Sequence, residues 1–147
     1  EYVVEIIKSF EEISENQFII NEDQNANSFP IKKSIEIVYG LRNFIGNANK
    51  FASNKIYLTL KSDSENSEII IEDDGVGYPK DILSKIGEPY IKSLQSIDNS
   101  KSGLGLGIFI GKTLLEKNKA KLICRNSKTR GGAEVNIIWK NNDLTQI

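Results

Sequence analysis

Apolar positions in this chain recur in two rhythms, and the switches between them mark out its elements. "YVVEIIKSF" places Val3, Ile6, Ile7 and Phe10 at helical spacing. "QFIIN" reads as a short strand, and the polar connection "EDQNANSFP" (22–30) ends at Pro30, where a helix can begin. From Ile31 to about Ala52 the longest helix is expected. Its stripe is Ile31, Ile35, Val38, Leu41, Ile45, Ala48 and Ala52, spaced at threes and fours. "KIYLTLKS" then alternates Ile56, Leu58 and Leu60 against Tyr57, Thr59 and Lys61, the period of a strand. After the turn "SENS", "EIIIEDD" predicts a more buried strand, so the two form a hairpin.

"GVGYP" breaks the chain and "KDILSKI" predicts about two helical turns. Ile86 to Ser102 carries little pattern, and a structureless stretch beyond ~12–15 residues is usually a functional lid or disordered. Leu104 to about Lys117 is apolar nearly all round, which predicts a helix buried against a sheet. "AKLICRN" and "AEVNIIW" are closing strands joined by the turn "SKTRGG". This order predicts an α/β (α+β) two-layer sandwich. A mixed, mostly antiparallel five-stranded sheet carries three helices on one face. No repeat or linker divides it, so residues 1–147 read as one domain.

Composition narrows the chemistry. The 147 residues, 39% hydrophobic and 27% charged, are those of an ordinary globular protein. No run of ~18 apolar residues and no signal peptide are visible, so direct membrane contact is not expected. Nineteen basic against 20 acidic residues leave a net charge of −1, which advertises no nucleic-acid face. The single cysteine, Cys124, excludes a disulfide within the chain and reads as a core thiol. The chain has no methionine, so it reads as a piece of something longer. It also has no histidine, which removes Ser-His-Asp and Cys-His catalysis and histidine-ligated metals together. Chemistry must come from a bound cofactor, carboxylates, lysines, amides or backbone.

Three constellations remain. Asn43, Asn47 and Lys50 fall within roughly 60° of one another on the long helix at 100° per residue. They read either as a solvated face or as an amide oxygen for a hard cation beside an ammonium for phosphate. "IIIEDDGVGYP" ends a buried strand in Asp73 and Asp74 before Gly75 and Gly77. It reads either as an Asp-Gly turn or as an inward carboxylate that needs a donor, such as the exocyclic amine of a purine. "NSKSGLGLGIFIGK" opens a helix on alternate glycines, which can turn bare amides and the positive helix end toward phosphate. Its spacing fits neither a Rossmann fingerprint nor a Walker A loop.

In this order the motifs resemble the ATP-binding catalytic domain of sensor histidine kinases, in the GHKL superfamily with its Bergerat-type fold. "NFIGNANKF" looks like the N box, "DDGVG" the G1 box, "GLGLGI" the G2 box and "RGGAEV" a degenerate G3 box. "YGLRNFIGNANKFA", "IGEPYIKS" and "GLGLGIFIGKTLLEK" look most like the RegB/PrrB-type redox-responsive kinases.

The resemblance implies a role for each matching residue. Asn47 would ligate Mg²⁺, Asn43 would contact phosphate or the metal's water shell, and Lys50 would contact phosphate. Phe51 would pack on the adenine, and Asp73 would accept from its amino group, with Gly75 and Gly77 allowing close approach. Within a lid at about 86–102, Tyr90 stands at the F-box phenylalanine and Lys92 where many members carry arginine. Gly103, Leu104, Gly105, Leu106 and Gly107 would wrap the triphosphate with backbone amides. Two further departures are Gly46, where many members have an acid, and Ala133, where the G3 box usually has threonine.

The implied function is ATP-dependent phosphorylation of a histidine on a separate dimerisation segment, through which the parent forms a homodimer. The phosphoryl group would then pass to a response regulator. The implied setting is cytoplasmic, in a membrane-anchored parent. ATP-hydrolysing relatives such as gyrase place a glutamate four residues before the metal asparagine; here that position is Asn43, which disfavours a GHKL ATPase. The other alternative is a nucleotide-responsive interaction module without phosphotransfer.

Overall fold

The computed structural model of the chain describes residues 2–22, 34–80, 83 and 104–144. In chain order the elements are α1 (Tyr2–Glu11), β1 (Gln17–Glu22), α2 (Ile35–Phe51), β2 (Lys55–Ser62) and β3 (Asn66–Asp73). They continue with α3 (Leu104–Lys117), β4 (Lys121–Asn126), β5 (Ala133–Lys140) and a short α4 (Asn141–Leu144). The strands form one sheet in the order β1-β2-β3-β5-β4. Only β1 and β2 run parallel, as the intervening helix α2 requires. The other three pairings are antiparallel.

Alternation aims one face of the sheet at the helices. Ile56, Leu58 and Leu60 of β2, Ile69 and Ile71 of β3, and Val135, Ile137 and Trp139 of β5 are all buried. They meet Val3, Ile6 and Ile7 of α1, Ile37, Leu41, Phe44 and Ile45 of α2, and Ile108 and Leu115 of α3. Asp73 shares the odd-numbered, inward register of Ile69 and Ile71, so the strand itself carries a carboxylate indoors.

The face that α2 buries is rotated from the expected stripe. Ile35 is 74% exposed, whereas Ile37, Gly40 and Phe44 are buried beside Leu41, Ile45 and Ala48. The reason lies on α3, which crosses α2 antiparallel and presents Gly107, Gly111 and Leu115 to it. A Cβ on Gly40 would stand 2.6 Å from Leu115 Cγ, and one on Gly111 2.7 Å from Phe44 Cε2. The two backbones therefore approach closely through glycine, and a count of apolar residues is blind to that contact. Helix α3 ends in a Schellman motif: Ala120 N–H donates to the Leu115 carbonyl and Lys119 N–H to that of Glu116, with Lys119 at φ 73°.

Both closing strands and their turn lie where the pattern puts them, and α4 is an addition to it. Cys124 is half-buried against the core, and burial pushes its thiol up to about 11. Of the short helix expected after "GVGYP" only Lys80 and Leu83 are described, and the expected lid at 86–102 lies outside the described residues.

Candidate functional site

Helix α2 ends when Ala52 turns extended, and the three amides that follow it would be left without partners. The Asp74 carboxylate collects them: Oδ1 accepts from Ser53, Asn54 and Lys55 N–H at 2.9, 3.0 and 3.1 Å. Desolvation alone would push the Asp74 carboxyl up, but these amides outweigh it and hold its pKa below the ordinary range. The end of β3 is thereby tied to the end of α2.

Its neighbour behaves in the opposite way. Asp73 is 3% exposed, and its Oδ1 accepts from Gly75 N–H at 2.9 Å and Ala133 N–H at 3.2 Å. Burial raises its pKa; the two amides offset this in part, and the Asp74 charge adds to it. Both of these hydrogen bonds fall on Oδ1, so neither occupies Oδ2. A carboxylate held this way is a fixed acceptor in an apolar setting.

Asp73 lines a cavity of about 250 Å³ between α2 and the sheet. Phe44, Asn47, Ala48, Lys50 and Phe51 of α2 form one wall, Ile71, Ala133 and Val135 the floor, and the 76–79 loop the other wall. One buried carboxylate at the end of an apolar slot suits a flat, mostly apolar ring that carries an amino group. Lys50 leans over the Phe51 ring, 5.4 Å from its centroid, and is exposed at the mouth.

Asn47 marks the polar end. Its Nδ2 is buried and finds no partner among the described residues, and Gly107 of α3 passes directly over the amide. Asn43, one turn earlier, donates from Nδ2 to the Tyr39 carbonyl at 2.8 Å. A buried amide with an unused end is costly unless a ligand or water completes it. Among the described residues no group of three His, Cys, Asp or Glu side chains could hold a metal ion. A cation here would have to take amide and phosphate oxygens and water.

Of the residues singled out in the sequence, Asn47, Lys50, Phe51, Asp73 and Gly77 line this one cavity. Asn43 and Gly107 lie beside Asn47. Gly75 is not in the lining: a Cβ there would overlap the Phe51 carbonyl oxygen, so its smallness serves the α2–β3 contact. Leu104 and Gly105 open α3, with Leu106 following. Tyr90, Lys92 and Gly103 lie outside the described residues.

Two contributors escaped the pattern. Tyr78, buried on the loop wall, reads in sequence as a turn residue, and its hydroxyl is pushed up by burial and by Cys124 and Asp73. Gly132 lies so close to Asp73 that a Cβ would overlap its backbone and carboxylate. Its place in "RGGAEV" was the available signal.

Residues 32–143 match the family of histidine kinase-, DNA gyrase B- and HSP90-like ATPases, and the chain belongs to that family. Within it the chain is similar to sensor histidine kinases. It is 35% identical over 119 residues to the sensor histidine kinase RegB of Cereibacter sphaeroides, a match covering 71% of this chain and 26% of that protein. It is 33% identical over 89 residues to CssS of Bacillus subtilis, covering 60% of this chain and 18% of that one. The chain thus spans about a quarter or less of the curated relatives it matches. The fold matches the catalytic domain of histidine kinase ThkA with a TM-score of 0.73 at 20% identity, over 95% of this chain and 91% of that one.

Proposed function

We propose that this chain is the ATP-binding catalytic unit of a two-component sensor histidine kinase. It binds Mg-ATP and delivers the γ-phosphoryl group to a histidine on a dimerisation segment of its parent, from which a response regulator receives it. The observation that carries the reading is Asp73, a buried acceptor held by two backbone amides in a mostly apolar cavity of about 250 Å³, room enough for a purine base. Asp73 accepts the adenine amino group, and Phe51, Tyr78 and Ile71 enclose the ring.

The phosphates then run toward the crossing of α2 and α3. The Asn47 amide oxygen would be the neutral ligand for Mg²⁺, and its buried Nδ2, which has no partner among the described residues, would donate to a phosphate oxygen. Mg²⁺, when bound, neutralises charge on the triphosphate. Asn43 and Lys50 face the phosphates from α2, and the backbone of Gly103, Leu104, Gly105, Leu106 and Gly107 from the start of α3. Tyr90 and Lys92 of the expected lid would add a ring and an ammonium for the nucleotide, as the motif resemblance implies. Phosphoryl transfer asks little covalent work of the protein, so positioning and charge suffice.

No carboxylate stands four residues ahead of Asn47 to activate water, since that position is Asn43 with its amide turned to the Tyr39 carbonyl. Hydrolysis should therefore be a slow leak. The chain has no histidine, so the acceptor belongs to another segment. Among the described residues no helix is long and apolar enough to cross a membrane. A unit that uses ATP in the way proposed would work on the cytoplasmic side, where ATP is.

The test incubates the chain with γ-labelled ATP, with and without the parent's separately supplied dimerisation segment. Label should appear on that segment's histidine, none on the chain, and phosphate release should be slow. Nucleotide binding without transfer at high concentration would leave only a nucleotide-responsive interaction module. Rapid phosphate release would mark an ATPase.

A further inference from the structure

Beyond β3 the wall of the pocket loses its ladder. The pairing of β3 with β5 ends at Glu72 and Glu134, so residues 76–79 line the cavity without strand partners. Asn126, the last residue of β4, takes over. Its Oδ1 accepts from Tyr78 N–H at 2.6 Å, and its Nδ2 donates to the Tyr78 carbonyl at 3.2 Å. The amide therefore acts as one further peptide group of β4, pairing both polar atoms of a buried residue's backbone. A side-chain amide carries the donor and the acceptor that this needs, whereas a carboxylate offers acceptors only. The loop runs so close that a Cβ on Gly77, itself at φ +81°, would stand 2.7 Å from Asn126 Oδ1.

The same strand end also steadies the carboxylate. Seven residues on, Ala133 N–H donates to Asp73, and the intervening turn is closed by Ser127 N–H donating to the Gly132 carbonyl at 2.7 Å. That turn is pinned outside by Arg130 stacking 3.9 Å over the Tyr57 ring and by Ser127 Oγ donating to Glu72 at 2.7 Å.

We infer that Asn126 is a positioning residue of the nucleotide pocket: through the Tyr78 backbone it holds the 76–79 wall in the shape that receives the base. The inference rests on the reading of the cavity as the ATP site. Asn126 touches no part of the base directly; it sets how much of the free protein has the wall in place. A wall ordered only part of the time weakens apparent affinity by that fraction, whatever the phosphates contribute.

Asn126 is exposed and contributes nothing to the apolar core, so Asn126→Ala should fold. The experiment measures binding of ATP and of adenosine by calorimetry, and amide hydrogen exchange at Tyr78, in the chain and in Asn126→Ala and Asn126→Asp. In Asn126→Ala the Tyr78 amide should exchange at least about tenfold faster, and both ligands should lose about fivefold in affinity, the worth of one net hydrogen bond. Asn126→Asp keeps the acceptor for Tyr78 N–H but turns a carboxylate oxygen toward the Tyr78 carbonyl, so the Tyr78 amide stays protected while both affinities still fall. Exchange elsewhere in β3 and β5 should not change.

Equal affinities in the chain and Asn126→Ala would overturn the inference and leave the ATP site intact. A loss confined to ATP would overturn it too, because the phosphate end would then be at fault. A chain that binds neither ligand would instead sink the reading of the site. Should Asn126→Ala not fold, the Asp variant decides alone: affinities equal to those of the chain would overturn the inference.

Discussion

Asp73 and Asp74 are adjacent, chemically identical and electrostatically opposite. Asp74 has its pKa lowered, so it contributes stability that is present above the unfolded value of about 3.9 and is lost as pH falls through its folded value. Asp73 has its pKa raised, so its charge subtracts from stability as pH rises from the unfolded value of about 3.9 through its folded value. Asn at position 73 keeps an oxygen for the amides of Gly75 and Ala133 and removes the buried charge. Asp73→Asn should therefore melt at the same or a higher temperature at pH 7. ATP affinity should nonetheless fall at least about tenfold, because a donor replaces the acceptor that faces the purine amine. A fluorescent ATP analogue and circular dichroism check the two halves, and unchanged affinity would refute the assignment. Affinity of the unaltered chain should also decline with acid, and earlier than for an ordinary carboxylate because burial raises the Asp73 pKa, since protonation removes the charge and makes one oxygen a donor. In the Asn variant that part of the pH profile should be flat.

At the scale of elements the decisive contact is the crossing of α2 and α3. Gly40→Ala gains about 1 kcal/mol of helix propensity, yet its Cβ would sit 2.6 Å from the Cγ of the fully buried Leu115. Overpacking of this kind costs about 1–3 kcal/mol. The variant should therefore lose about 1 kcal/mol net in a urea titration, with the slope unchanged. A gain in stability would mean that the helices can move apart freely. This crossing also shows where sequence reading ran out. Of the two readings left open at Asp73, the structure has the inward carboxylate, because a strand has only two faces and Asp73 shares that of Ile69 and Ile71. A helix has a continuous choice of faces, and glycine lets its partner settle the choice; Ile35 came out exposed and Phe44 went in. Asn43, Asn47 and Lys50 were singled out because they share one face of a helix and match a motif, although by type alone they read equally as a solvated face; Asn126 was not, because an asparagine at a strand end looks like any turn residue.

Across the whole molecule, the cavity and the core share residues. Phe44, Ala48, Ile71, Tyr78 and Val135 belong to both, so the apolar interior runs without a break into the slot. The chain is built as though part of the core had been left out, and under the proposed reading the base would fill that gap. Nucleotide should then behave as a structural element of the fold. At a hundredfold excess over Kd, mass action adds about 2.7 kcal/mol to stability. The melting temperature should rise by several degrees with ATP and measurably with adenosine alone. Tripolyphosphate, which leaves the slot unfilled, should do far less; an equal rise from tripolyphosphate would show that the phosphates, not the interior, carry the effect. Turnover would then leave the interior incomplete each time a spent nucleotide departs, and the protein should be most vulnerable to proteolysis in that interval.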